Sequence, residues 1–314
     1  MARLRIPLGE QAQFPQWWTT TAVEAVFDTG PGRPDAIVLP MPTLAWTRAD
    51  FARTTALAED ATIPTVIYNG FDSWDDPSRG WRGELTWVDD VQGCCRAATV
   101  VGGPQLPPDD TLAHPVALPY PPLVDRLSEP PELRRSTVDV HFAGFFREPG
   151  WAAPPADPRD RRHRGHLVAR LAGAVPADRL AIRNIEFWAA DEDEQRQLRE
   201  CYVDELDRAA LVLAPAGYGH LTYRHADTWA RGRALLCDHV QRHVLVPEPE
   251  RWDRGEIAVL YDSAADDIAA VVTAALADPE RLDTIARAGW SFGRRWTTPE
   301  AQAQALADAL AEHC

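Results

Sequence analysis

Lysine is missing from this chain; all 32 basic residues are arginine. Schiff-base chemistry and a lysine phosphate clamp are therefore excluded, and any anion must be met by arginine, protonated histidine or backbone amides. Cysteine is scarce and odd in number (Cys94, Cys95, Cys201, Cys237, Cys314), and no C-x-x-C occurs. Those counts argue against a disulfide framework and against a structural zinc site. The two asparagines, Asn69 and Asn184, stand in N-G-F and N-I-E, so no glycosylation acceptor exists. No apolar run approaches the length of a membrane span. The opening residues MARLRIPLGEQ lack the apolar core of a signal peptide, so a cytoplasmic protein with no integral membrane segment is expected. Positive charge is also in deficit. A net charge of −15 argues against general binding to nucleic acid or anionic lipid, and a phosphate ligand would need a local cluster of cations.

With 314 residues and 45% hydrophobic composition, the chain can build two domains with cores of their own. Both halves alternate short apolar runs with helical patterns. In the first half the strand runs are Asp35–Leu39, Thr65–Asn69, Ala97–Val101 and Val116–Leu118. In the second they are Val138–Ala143, Arg179–Ile185, Ala209–Ala214, Ala234–Cys237 and Ile257–Tyr261. Helices are expected at Asp50–Glu59, Arg164–Ala174, Glu192–Leu206, Asp266–Ala277, Arg281–Ala288 and in the alanine-rich tail Pro299–Glu312. The strands are apolar throughout instead of alternating, which favours parallel sheets covered on both faces. The predicted class is α/β, with two Rossmann-like doubly wound domains facing a cleft (1–125 and 136–314). The C-terminal helices are free to pack back on the first domain. The proline-rich stretch Pro119–Arg135 is the expected linker.

The densest chemistry lies in Asp207–Asp238, DRAALVLAPAGYGHLTYRHADTWARGRALLCD, which reads strand, glycine loop, helix, strand. Unpaired N–H groups at the start of such a helix form an anion site. Gly217, Gly219, Thr222 and Tyr223 lie at that entry, Arg224 adds charge, and Asp227 can accept hydroxyl hydrogen bonds one turn later. The blander readings are a tight turn and an i,i+3 surface ion pair. Gly217-x-Gly219-x-x-Thr222 is also one residue short of the dinucleotide fingerprint, with Asp238 at the end of the next strand. An NAD(P)- or flavin-dependent enzyme using the Gly217 loop and Asp238 is the competing reading. A non-catalytic glycan- or nucleotide-binding module is another. Thr222 in the third glycine's place, and the late position of the motif, weigh against the dinucleotide.

The stretch Tyr202–Leu236 resembles the C-terminal domain of glycosyltransferases of the two-Rossmann-domain (GT-B) fold, in the group-1, spore-coat-type and exostosin-like branches. The residues that carry the likeness are Tyr202, Leu206, Pro215, Gly217, Gly219, Thr222, Tyr223, Arg224, Asp227, Ala230 and Gly232. The turn after VDVHFA, with Gly144 and Arg147, is similar to the family's first strand–glycine turn. The match spans roughly the last half of the chain, its strong part about 35 residues. The resemblance implies a hexosyl- or pentosyltransferase moving a sugar from a nucleotide diphosphate sugar to a hydroxyl acceptor. It implies no cofactor beyond that donor as co-substrate. The acid at Asp227 would bind the ribose, and the glycine loop with Arg224 and Arg147 the diphosphate. Three departures separate the chain from the retaining group-1 pattern: Asp227 stands where the family has Glu, Gly219 stands where it has a second Glu, and lysine is absent.

Outside this stretch, the basic run Arg159–His166 places Arg164 at the start of a helix, the best choice there for a diphosphate grip. A solvated loop is the blander alternative. An inverting transfer needs a general base in the N-terminal half. Asp72, which with Asp75 and Asp76 follows the strand Thr65–Asn69, is the candidate, and His114 an alternative. Twelve tryptophans are many for this length; Trp74 and Trp81 are expected to face the cleft, where an indole can stack on a sugar, with core packing as the blander role. Asp191-x-Asp193 opens a helix, where acids complement the dipole. No metal is expected.

Overall fold

The computed structural model describes residues 4–5, 20–30, 33–39, 48–60, 62–69, 88–108, 111–147, 159–185, 191–217, 219–262 and 267–313. In chain order the elements are α1 (Thr20–Val26), β1 (Ile37–Val38), α2 (Arg48–Glu59), β2 (Thr65–Tyr68), α3 (Val88–Ala97), β3 (Val100–Gly103) and β4 (Pro115–Ala117). There follow β5 (Val138–Ala143), α4 (Arg161–Ala174), β6 (Leu180–Arg183), α5 (Glu192–Arg208), β7 (Ala209–Leu213), α6 (Tyr223–Ala230) and β8 (Ala234–Cys237). The chain closes with α7 (Pro249–Asp253), β9 (Val259–Leu260), α8 (Ile268–Leu276), α9 (Pro279–Trp296) and α10 (Pro299–Ala311). Among the described residues, no helix is long and apolar enough to cross a membrane.

Two compact units share these elements. The first takes Met1–Pro121, Gln241–Pro247 and Arg295–Cys314; the second takes Pro122–Val240 and Glu248–Arg294. Residues 119–121 of the proline-rich stretch thus end one unit and residues 122–135 begin the other. Within the second unit those residues are tied down: the Leu127 amide donates to Ala230 O, and the Leu133 amide to Asp283 Oδ1.

In the first unit all strand pairs are parallel, in the order β1-β2-β3-β4. The period of two along a strand sorts its side chains onto two faces. Ile67 and Val101 pack with Phe51 and Ala58 of α2 and with Val91, Cys94 and Cys95 of α3. Val66, Tyr68 and Val100 point the other way, onto Val23 of α1 and Ala303, Leu306 and Leu310 of α10. Burying both faces is why these strands read as continuous Val/Ile runs. Successive right-handed crossovers in one direction place their helices on one face. The opposite face is closed by α1 and by α10, which carries a Thr298 cap and Pro299 at its first position.

In the second unit the five-stranded order is β6-β5-β7-β8-β9, again wholly parallel. Val140, Phe142, Leu211, Leu213 and Leu236 meet Leu167 and Leu171 of α4, Ile268 and Val272 of α8, and Ile285 of α9 in one core. On the other face Val212 packs on Leu206 of α5 and Ala230 of α6. Asp160 and Asp191 cap α4 and α5, each accepting a backbone N–H of the first turn. The last long helix is longer than the sequence pattern indicates. It was expected to stop at Ala288 but runs to Trp296, through Gly289 and Gly293. A Cβ at Gly289 would stand 2.7 Å from Trp229 Cδ1, and one at Gly293 2.8 Å from Trp229 Cβ. These glycines make room for a fully buried indole, itself packed on Trp252 and Phe292.

Candidate functional site

The order of the second sheet reverses at β5: β6 lies on one side of it, and β7, β8 and β9 on the other. Loops leaving the carboxyl ends of β5 and β7 diverge to opposite faces there, which opens the crevice where doubly wound sheets bind ligands. Both glycine turns singled out above leave those two strands, Gly144 after β5 and Gly217 after β7.

Two arginines reach across this point. Arg164, in the first turn of α4, donates from Nε to Ala216 O at 2.8 Å and from Nη1 to Phe145 O at 2.8 Å. It therefore ties the end of β7 to the end of β5. Arg224, in the first turn of α6, donates from Nε to Ala143 O at 2.7 Å and lies over the Phe142 ring, 5.2 Å from its centroid. Main-chain carbonyls thus orient both guanidinium groups at this point. Burial lowers the pKa of Arg224, with the Tyr202 and Asp227 side chains acting in the opposite sense. An arginine nevertheless stays protonated.

Gly144 is required by close approach: a Cβ there would collide with Arg224 Nη2 and lie 3.2 Å from Phe142 Cζ. A Cβ at Gly217 would lie 3.2 Å from Arg164 Nη2. The loop closes on itself, the Gly217 amide donating to Gly219 O at 2.7 Å. Thr222 is the N-cap of α6, and His225 fills the position that Glu or Gln takes in a capping box: the Thr222 N–H donates to His225 Nδ1 at 3.1 Å. Burial pushes the His225 pKa down to about 3. The ring is thus neutral, and Nδ1 is free to accept. The helix ends at Gly232, whose φ of 59° suits the left-handed C′ position and whose N–H donates to Trp229 O.

Asp227 is buried on the inner face of α6. Its Oδ1 accepts the Leu123 N–H at 2.6 Å and its Oδ2 the Tyr202 hydroxyl at 3.1 Å. Burial raises its pKa to about 6, against the pull of those bonds and of Arg224. Tyr202 leads on to β5, its ring 5.6 Å from the buried His141. Glu205 lies beyond, 3.7 Å from His141 Nδ1 and accepting from Arg183 Nε at 2.7 Å. Burial pushes His141 down to about 4.

Of the residues chosen from the sequence, Gly144, Arg164, Gly217, Thr222 and Arg224 come together at the reversal point, with Asp227 on the same helix as Arg224. Gly219 closes the loop, and Tyr223 is half-buried in the first turn of α6. Arg147 is exposed, and its charge acts on Asp160. Arg162 in the same basic run turns outward to Asp160, pairing with it at 2.8 Å. Asp191 accepts the Glu194 N–H as an ordinary cap. Asp72, Asp75, Asp76, Trp74 and Trp81 lie outside the described residues.

Three contributors escaped the sequence reading: the Leu123 amide, the His225 ring as cap partner, and the state of Asp238. Only His225, three residues after a capping threonine, had a sequence signal. Asp238 directly follows β8 with 1% exposure, and neither carboxylate oxygen has a hydrogen-bond partner among the described residues. Burial raises its pKa to about 7; its own backbone amide opposes this. A ring nitrogen of His220 lies within 4.8 Å of a carboxylate oxygen of Asp238.

No protein-family profile and no curated protein matches the sequence. Solved structures do. The Anabaena protein Alr3699/HepE in complex with UDP is 14% identical, with a TM-score of 0.51 over 93% of this chain and 80% of that one. The same protein in complex with UDP and glucose is 13% identical, with a TM-score of 0.50 over 89% of this chain and 78% of that one. The likeness is one of fold, the α/β architecture with two parallel sheets that GT-B glycosyltransferases share.

Proposed function

We propose that this chain is a glycosyltransferase that moves a sugar from a nucleotide diphosphate sugar to a hydroxyl acceptor. One observation carries the reading. Two arginines held by main-chain carbonyls bracket the reversal point of the second sheet, with a buried aspartate on the same helix as one of them. The diphosphate would lie against Arg164, Arg224 and the 217–219 backbone. Asp227 would take a ribose hydroxyl through the acceptor capacity left beside Leu123 and Tyr202. As the bond from the sugar to the diphosphate breaks, negative charge grows on the leaving phosphate. Arginines already in place meet that charge without reorganising. The acceptor would be held by the first unit, with Asp72 as the base that takes its proton. The fold shared with a protein crystallised with UDP and glucose supports this assignment. No step needs a cofactor.

The dinucleotide reading is weaker on this geometry. Its third glycine would be Thr222, which instead caps α6 through His225. Thermal-shift measurements with UDP-, GDP- and dTDP-sugars, NAD(H) and FAD separate the alternatives, since a ligand of the folded state raises its melting temperature. A shift with a nucleotide sugar is expected, and Arg224→Met should weaken binding of that ligand by about tenfold to a hundredfold. A shift with NAD(H) or FAD alone would overturn the proposal. Nucleotide-sugar binding without turnover on any acceptor would favour the binding module.

A further inference from the structure

Tyr202 has no task of its own in the scheme above, yet it is bonded to the aspartate that the scheme depends on. It stands one turn before Leu206 on α5, and Asp227 stands one turn before Ala230 on α6. Residues three and four apart share a helix face, and Leu206 and Ala230 lie in one buried apolar cluster. Tyr202 packs on that cluster, with its ring 5.6 Å from the buried His141 of β5. The ring is thus held by apolar packing, and its hydroxyl donates to Asp227 Oδ2 at 3.1 Å. A second donor comes from the main chain: the Leu123 N–H meets Oδ1 at 2.6 Å. One anchor leaves a carboxylate free to turn about it; an anchor on each oxygen fixes its plane. A carboxylate accepts at about four lone-pair positions, so anchored oxygens can still take a ligand hydroxyl. Arg224, three residues earlier on the same face of α6, reaches the end of β5.

We infer that Tyr202 is a positioning residue of the nucleotide site: its hydroxyl fixes the Asp227 carboxylate to receive the ribose hydroxyls, and it acts through Asp227 without touching the nucleotide. The inference rests on the proposed function and extends it, because it assigns the discrimination between nucleotides with and without ribose hydroxyls to a residue on a different helix. Such a bond is formed before the ligand arrives, so the ordering of the carboxylate is not charged against binding. The Tyr202 and Leu123 bonds, with Arg224, also favour the ionised acceptor against the effect of burial.

The test compares a nucleotide with its 2′,3′-dideoxy analogue. Calorimetric affinities are measured for UDP, GDP or dTDP, whichever wild type binds most tightly, and for the analogue stripped of those hydroxyls. Wild type should prefer the parent nucleotide about tenfold. Tyr202→Phe should cut that preference to about threefold by weakening the parent, and leave the dideoxy analogue within about twofold. The change removes one oxygen and keeps the ring, so the variant should fold, and its melting temperature checks this. Asp227→Ala should lose the preference, and adding Tyr202→Phe to it should change the preference no further. Four results overturn the inference and leave the transferase reading intact: equal weakening of both ligands by Tyr202→Phe, an unchanged preference, a variant that does not fold, or a further loss in the double variant, which would put Tyr202 itself on the ribose. If wild type binds the nucleotide without preferring it to the analogue, the ribose role of Asp227 falls together with this inference. If wild type binds none of the three nucleotides, the proposed function itself fails.

Discussion

Both sheets are parallel and both are buried on two faces, yet among the described residues only the second reverses its strand order. In the first, β1 to β4 run in sequence, and one face is closed by helices from outside the crossovers, α1 and α10. In the second, the reversal at β5 opens the crevice, and the glycine turns and arginines gather there. The two units bury apolar surface in similar ways. They differ in polar placement: the second aims cations at a strand edge, and the first ties its last helix down through Gln302, whose side-chain amide donates to Pro119 O at 2.6 Å. Topology thus separates stability from chemistry.

Three measurements would break or sharpen that contrast. The largest effect is expected at Leu310, fully buried where α10 covers the first sheet. Leu310→Ala should cost about 2–5 kcal/mol of stability in denaturant titration, while nucleotide affinity measured on the remaining folded protein stays at wild type. Affinity that falls with stability would erase the distinction between a scaffold unit and a binding unit. Next comes Gly144→Ala. The added methyl displaces the Arg224 guanidinium instead of opening a cavity. Nucleotide affinity should drop by about tenfold with little loss of melting temperature. A change of the opposite kind, stability lost and affinity kept, would make Gly144 a packing residue.

The third measurement concerns pH. Burial keeps a proton on Asp238 in the folded protein up to about pH 7, whereas the unfolded chain releases it near the ordinary carboxyl value of 3.8. Between those values the folded state binds more protons, so this residue's contribution to stability falls as pH rises toward 7 and is level above it. Asp238→Asn has no proton to lose. Its stability relative to wild type should therefore grow from about pH 4 to about pH 7 and then stay constant. A flat difference across that range would mean that the buried carboxyl titrates normally.

The second unit was largely legible in the sequence because its signals are local. The run from Asp207 to Asp238 contains its own strand, loop, cap and helix, so the Gly217 turn and the α6 arginine could be placed by spacing alone. Arg164 was found for the same reason, as a cation in the first turn of a helix. What escaped depends on contacts remote in sequence. The Leu123 amide meets Asp227 across 104 positions, and no periodicity encodes such a pairing. The expected end of α9 at Ala288 stops short of Trp296; Gly289 and Gly293 lie in that last part, and their reason is Trp229, about sixty residues earlier. The inward turn of Arg164 and the outward turn of Arg162 likewise follow from tertiary context, although the two stand two residues apart.

The cover that α10 provides also sets a timetable. The strands of the first sheet leave the ribosome before α10, the helix that closes part of one of their faces. Val66, Tyr68 and Val100 therefore wait for part of their apolar cover, and every strand of the second sheet is already made before α10 emerges. Domains generally fold as units as they are made, N-terminal first. Here the core begun first is completed after the other, and the nascent chain must keep that apolar face out of wrong pairings until the thirteen-residue α10 arrives.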